Sequence, residues 1–261
     1  MKNLLITLGD SFTFGEGLEY YVWLKEYNTS YNIYKDIQDN NFPIKRLFQS
    51  TSQEFVNFRF LNRYANLLNQ KLGTELIIQS SNGGNNLMRL NDLDLLIRLF
   101  KNEPNIIPKY CIFQFTHVCR DVERIFYKEN LENHVLNTFG EEFCKKIENK
   151  INDLDYVFNE ILIKEVELLK LKFEFLEKTY NCKCFYFFGL GDINSINNNN
   201  ELFKKDYQFI ELNYNSQNYA TWLELIEKNN LRLRDTIGVN DDHPNLESHR
   251  WVSEYLYHKI I

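Results

Sequence analysis

Four short apolar runs punctuate the chain: Leu4 to Leu8, Leu76 to Ile78, Tyr110 to Phe115 and Phe185 to Phe188. None has the strict alternation of a strand with one wet face, so each is expected in a sheet buried on both faces. Between them the apolar period becomes helical. Phe55 to Lys71 carries Phe58, Leu61, Tyr64, Ala65, Leu67 and Leu68 and stops at Gly73, and Leu87 to Phe100 carries Leu90, Leu93, Ile97 and Phe100 ahead of Pro104. The longest stretch, Ile151 to Tyr180, places Leu154, Val157, Phe158, Ile161, Leu162, Val166, Leu169, Phe173, Leu176 and Tyr180 on one face, with acids and lysines on the other. A last helix is expected from about Asn245 to His258. The order β-α-β-α-β-α-β-α predicts an α/β fold with a parallel sheet and helices on both faces. A ligand site would then lie beyond the carboxyl ends of the strands.

Three segments break this alternation: 20–54, 118–150 and 191–218. They are read as insertions into a single domain spanning 1–261, a length that one core can serve. The first is rich in Tyr20, Tyr21, Trp23, Tyr27, Tyr31 and Tyr34, a composition suited either to binding a carbohydrate or partner protein or to a surface excursion packed by its own rings. Gly189-Leu190-Gly191-Asp192, followed by Asn197 to Asn200, reads as a strand exit and a flexible loop. A net charge of -6 argues against nucleic acid or anionic membranes as partners. No apolar stretch is long enough for membrane insertion. The first apolar run passes directly into Gly9-Asp10-Ser11 without the pattern of a signal peptide, so a retained first strand and a cytoplasmic setting are expected. Cys111, Cys119, Cys144, Cys182 and Cys184 fit a reducing compartment, with Cys182 and Cys184 sharing one strand face in the core.

Candidate chemistry sits at the two ends of the chain. The run Leu4 to Leu8 delivers Gly9-Asp10-Ser11 to a glycine-permitted turn, which is where an α/β hydrolytic enzyme exposes a serine nucleophile. Asp10 is expected to brace that turn through backbone hydrogen bonds. Far along the chain, Asp241-Asp242-His243-Pro244 opens the last helix, where an acid beside a histidine can orient the imidazole and stabilise its protonated form. Together these blocks resemble the SGNH/GDSL hydrolase superfamily, with this chain as a divergent member. The resemblance implies a three-layer α/β/α sandwich with a mainly parallel, flavodoxin-like sheet. It also implies a serine esterase that cleaves a small-molecule or glycan ester through Ser11, His243 and Asp241, with no cofactor and no metal. His249 and His258 are assigned structural roles in the last helix.

The resemblance further implies an oxyanion donor after the second strand. The matching run is Gln79-Ser80-Ser81-Asn82-Gly83-Gly84-Asn85-Asn86, in which Gly84 is the expected donor and Gly83 the alternative. The same run serves equally as a turn with Asn85 or Asn86 capping the next helix. The family's third block, Gly-x-Asn-Asp, is absent; Phe115-Thr116-His117-Val118-Cys119-Arg120-Asp121 stands there instead. Gly84, Asn86, Thr116, His117 and Arg120 are therefore the candidates for oxyanion or substrate contacts. The family's acid also lies three residues before its histidine, where this chain has Asn240, so Asp241 is taken as the acid and Asp242 as its alternative. The competing reading is an SGNH-fold binding or structural module that has lost turnover. A dinucleotide enzyme is disfavoured, because no Gly-x-Gly-x-x-Gly follows the first strand.

Overall fold

The structure is a computed structural model and describes residues 2–22, 53–81, 83–121, 138–237 and 241–261. Most of the aromatic segment 20–54, and residues 122–137 of the second insertion, lie outside the described residues. In chain order the elements begin with β1 (Lys2–Gly9), α1 (Ser11–Phe14), α2 (Gln53–Asn62), α3 (Tyr64–Leu72) and β2 (Glu75–Ser80). They continue with α4 (Asn86–Asn102), β3 (Ile106–Phe115), α5 (Glu141–Glu148), α6 (Leu154–Tyr180), β4 (Lys183–Phe188), α7 (Ile193–Asn198) and α8 (Asn200–Lys204). The last are β5 (Leu212–Tyr214), β6 (Gln217–Tyr219), α9 (Trp222–Lys228), α10 (Leu233–Thr236) and α11 (Leu246–Ile260).

The four expected runs form one parallel sheet in the order β2-β1-β3-β4. Ile6 aligns with Ile77 on one side and Cys111 on the other, and Phe113 with Tyr186. A further segment extends the edge at β4, where Ile210 donates to the Tyr186 carbonyl at 2.8 Å and Tyr186 to that of Gln208 at 2.9 Å. Because side chains alternate along a strand, each strand feeds two cores. Leu4, Ile6, Leu8, Phe113, Phe115 and Phe188 pack with α4 and α6 on one face. Leu5, Ile112 and Phe187 pack with α3, α9 and α11 on the other. Each fully buried Leu or Phe contributes roughly 1.5–3 kcal/mol, so neither face tolerates polar residues well. Cys111, Cys182 and Cys184 are buried free thiols in the first of these cores.

Three local features differ from the sequence reading. The helix expected over Phe55 to Lys71 is two helices, broken at Arg63, whose ψ of 147° is extended. The break frees the Tyr64 N–H from the helical ladder, and it donates to His249 Nδ1 at 3.2 Å. Residues 193–204, expected as a flexible loop, are helical: Asp192 caps α7 through the Ser195 N–H at 2.7 Å, and Asn199 links α7 to α8. The small antiparallel pair β5–β6 and helix α9 also carry no clear periodicity in the sequence.

Candidate functional site

The carboxyl end of β1 is built to hold one tight turn. A Cβ on Gly9 would lie 2.1 Å from Thr13 Oγ1, so only glycine lets Thr13 close over the strand end. Asp10 accepts from the Phe12 N–H at 2.9 Å and so caps α1, the backbone brace expected of it. The same carboxylate also accepts from Gln114 Nε2 and Thr116 Oγ1, both at 2.7 Å, and lies 3.5 Å from Arg120 Nη1. Gln114 lies at the end of β3 and Thr116 directly after it, so this buried acid ties the end of β1 to the end of β3. Thr13 Oγ1 extends the network to Gln114 Oε1 and to the Tyr64 hydroxyl. Ser11 follows, 3% exposed, and its N–H opens α1 without a hydrogen-bond partner among the described residues.

The loop carrying the acid and histidine is pinned from the other side. Leu233 N–H donates to the His243 carbonyl at 2.9 Å, Arg234 N–H to that of Asp241 at 3.0 Å, and Asn245 N–H to that of Leu231 at 2.9 Å. Asn245 then caps α11 through the Ser248 N–H at 2.8 Å. Asp241 Oδ1 accepts from the His243 N–H at 2.8 Å and stands 2.6 Å from His243 Nδ1. Asp242 turns outward to Arg234, 2.6 Å away. The His243 ring lies edge-on to Phe12 at 5.6 Å, which brings the C-terminal block against the turn that carries Ser11.

His243 Nε2 faces Glu16 Oε2 at 3.3 Å, and among the described residues no hydrogen bond joins it to the Ser11 hydroxyl. Burial alone would lower the imidazole's proton affinity, but Asp241 and Glu16, one at each nitrogen, together raise its pKa to about 10. Since the unfolded value is 6.5, the stabilisation is fully present below that pH and is lost as pH rises through about 10. His249 behaves oppositely. Burial, then the charge of His243, lowers its pKa to about 3, so its stabilisation is lost as pH falls from 6.5 towards that value. It accepts the Tyr64 N–H, stacks on the Tyr64 ring and meets Trp222 edge-on, a structural role.

The remaining candidates separate by exposure and partners. Gly84 N–H donates to the Ser81 carbonyl at 3.1 Å, so this donor is engaged within its own turn. Its carbonyl accepts from Arg120 Nη1 at 2.8 Å. Asn86 is fully buried and exchanges hydrogen bonds with the Thr116 backbone, at 2.7 Å and 3.1 Å, while donating to Glu165 Oε2 at 2.7 Å. It braces the start of α4 against the segment after β3, and both ends of its amide are engaged in doing so. Thr116 is likewise buried, its hydroxyl donated to Asp10. His117 is half-buried, accepts the Cys119 N–H at 3.2 Å and has its pKa lowered by burial. Arg120 keeps 30% of its side chain exposed while touching both Gly84 and Asp10.

No family model, curated protein or solved structure matches the chain. The site's chemistry therefore rests on its own geometry.

Two groups escaped the sequence reading. Glu16 is one; its signal is a carboxylate between two glycines just after the serine turn. The second is the pair Asp121 and Glu165, which flanks Asn86. Asp121 accepts the Asn86 and Leu87 N–H groups at 3.2 Å and 3.3 Å, while burial and the neighbouring Asp121 charge push Glu165 well above the usual carboxylate range. The shift favours the protonated form of Glu165, and the segment after β3 rests on a buried acid pair. Among the described residues no group of three or more His, Cys, Asp or Glu side chains is arranged to hold a metal ion, and no helix is long and apolar enough to cross a membrane.

Proposed function

We propose that this chain is a serine ester hydrolase of the SGNH/GDSL type, with Ser11 as nucleophile, His243 as general base and acid, and Asp241 as the orienting carboxylate. The observation that carries this reading is the contact of Asp241 Oδ1 with His243 Nδ1 at 2.6 Å, on a loop whose imidazole packs against Phe12, the residue next to Ser11. The strand order β2-β1-β3-β4, with helices on both faces, supports the flavodoxin-like sandwich of that superfamily. In the reaction, Ser11 Oγ attacks the ester carbonyl while its proton passes to His243 Nε2. The imidazolium then protonates the leaving alcohol, and water repeats the sequence on the acyl-enzyme. The Ser11 N–H is the oxyanion donor, and the Arg120 guanidinium adds positive charge at the third block. No step calls for a cofactor. The ester is that of a small molecule or a glycan O-acyl group, and the aromatic insertion proposed to receive a glycan lies mostly outside the described residues.

A second reading, a binding module on the same fold without turnover, is favoured by two observations: Glu16 opposes the histidine nitrogen that must serve Ser11, and Gly84 N–H is engaged by Ser81. Turnover of 4-nitrophenyl acetate separates the two. The wild-type chain should hydrolyse it, and Ser11→Ala should lower the rate about 10³-fold or more, to background, with an unchanged melting curve. Equal turnover in Ser11→Ala would overturn the hydrolase reading, and no turnover in folded wild type from neutral to alkaline pH would favour the binding module.

A further inference from the structure

We propose that Glu16 is a positioning residue whose carboxylate faces His243 Nε2 as an ion-pair partner and competes with the Ser11 hydroxyl for that nitrogen, so the resting site is latched. This rests on the hydrolase reading and adds to it the device that decides when His243 is free to act. The 3.3 Å approach of Glu16 Oε2 to Nε2 is built into the backbone. Gly15 and Gly17 flank Glu16 with φ of 78° and 86°, left-handed values that turn the chain under the His243 loop. Glu16 N–H donates to the Ser11 carbonyl at 3.0 Å, tying the latch to the nucleophile's own turn. A Cβ on Gly17 would lie 2.2 Å from Leu233 Cδ1 and 3.4 Å from Asp241 Oδ2, so glycine there lets the turn close on the acid-histidine loop. Glu16 itself is 4% exposed, which leaves its carboxylate near the imidazole and away from bulk water.

Among the described residues, the other charges near His243 are engaged elsewhere. Asp241 holds the opposite nitrogen, Nδ1. Glu19, on the helical segment that follows, is paired with Arg59, and burial raises its pKa. Burial, followed by the charges of Asp241, Glu19 and Glu16, pushes the Tyr20 hydroxyl up, so it stays neutral. His249, on α11, is held neutral by burial, and Asp242 faces Arg234. Among the described residues, Glu16 is thus the carboxylate set against Nε2. To act as a base the imidazolium must first release its Nε2 proton to solvent, and Glu16 opposes that release. The resulting sign is definite: the deprotonated, competent fraction grows with pH, and removing the Glu16 charge moves its onset to lower pH.

The test is an NMR titration of the His243 ring in the wild type and in Glu16→Gln, paired with kcat/KM for 4-nitrophenyl acetate over the same pH range. The wild-type ring should titrate far above 6.5, and Glu16→Gln should lower its pKa by at least about one unit, raising kcat/KM at neutral pH about tenfold per unit. A wild-type His243 that titrates near 6.5, or one unmoved by Glu16→Gln, would overturn the latch. Should Glu16→Gln fail to fold, Glu16→Ala takes its place in the same titration. If the ring responds as expected while neither protein turns over ester, Glu16 does position His243 and it is the hydrolase reading that fails.

Discussion

Asp10→Ala should destabilise the protein by about 3–5 kcal/mol, a large share of what holds a domain of this kind together. The acid is 1% exposed and accepts from Phe12 N–H, Gln114 Nε2 and Thr116 Oγ1, with Arg120 Nη1 at 3.5 Å. Alanine leaves those donors facing one another without an acceptor, and each buried unpaired donor costs about 1–3 kcal/mol. Repacking offers little relief, because Gln114 and Thr116 are themselves buried and bound to Thr13 and Asn86. Asp10→Asn should cost less, since its amide oxygen can still accept the Phe12 and Gln114 N–H groups and its NH₂ can donate to a rotated Thr116 hydroxyl, with only the Arg120 approach lost. Urea unfolding at pH 7 measures both: the midpoint should fall steeply for alanine at an unchanged slope. A loss under about 1 kcal/mol would mean that the carboxylate does not join the first block to the third.

Asp241→Asn should lower kcat for 4-nitrophenyl acetate by about 10⁴-fold, while Asp242→Asn leaves it within a few-fold. The two acids are adjacent in sequence but opposite in direction. Asp241 Oδ1 lies 2.6 Å from His243 Nδ1 and also accepts the His243 N–H, so it fixes both ring and backbone. The neutral amide can keep the backbone bond, so the loop should stay in place while the charge that favours the developing imidazolium disappears. Asp242 meets Arg234 and Arg232 at the surface, where exposed ion pairs contribute little. Measuring both variants beside their circular dichroism separates chemistry from folding. Similar losses in both would mean that the loop works through its overall charge and not through one oriented carboxylate.

The four strands were legible because each lies between two cores, which demands near-continuous apolar residues over a short run. Helix α6 was legible because its apolar stripe runs through all 27 residues. The helices over 193–204 were not: their asparagines match a loop by composition, and only the Asp192 cap and Phe203, 1% exposed, reveal them as packed. The break at Arg63 follows from a tertiary bond between Tyr64 and His249, 185 residues apart, which no local pattern encodes. In the site, the serine and the acid-histidine loop carry local turn chemistry and could be read directly. At Asn86 a helix-start asparagine ties the segment after β3 to α6, a bracing role that the oxyanion pattern does not signal. Glu165 had a visible signal, an acid spaced four residues from both Ile161 and Leu169 on the buried face of α6. Its partner Asp121 comes from another element, so only the fold joins them.

Every proposed step depends on Ser11 being a nucleophile served by His243. A fluorophosphonate probe followed by peptide mapping tests it without knowledge of the natural ester. A covalent adduct should form on Ser11, faster as pH rises, absent from Ser11→Ala and slowed by His243→Ala in folded protein. Absence of the adduct in folded wild type up to pH values where His243 is neutral, or an adduct on Ser11 that forms equally well without His243, would contradict it.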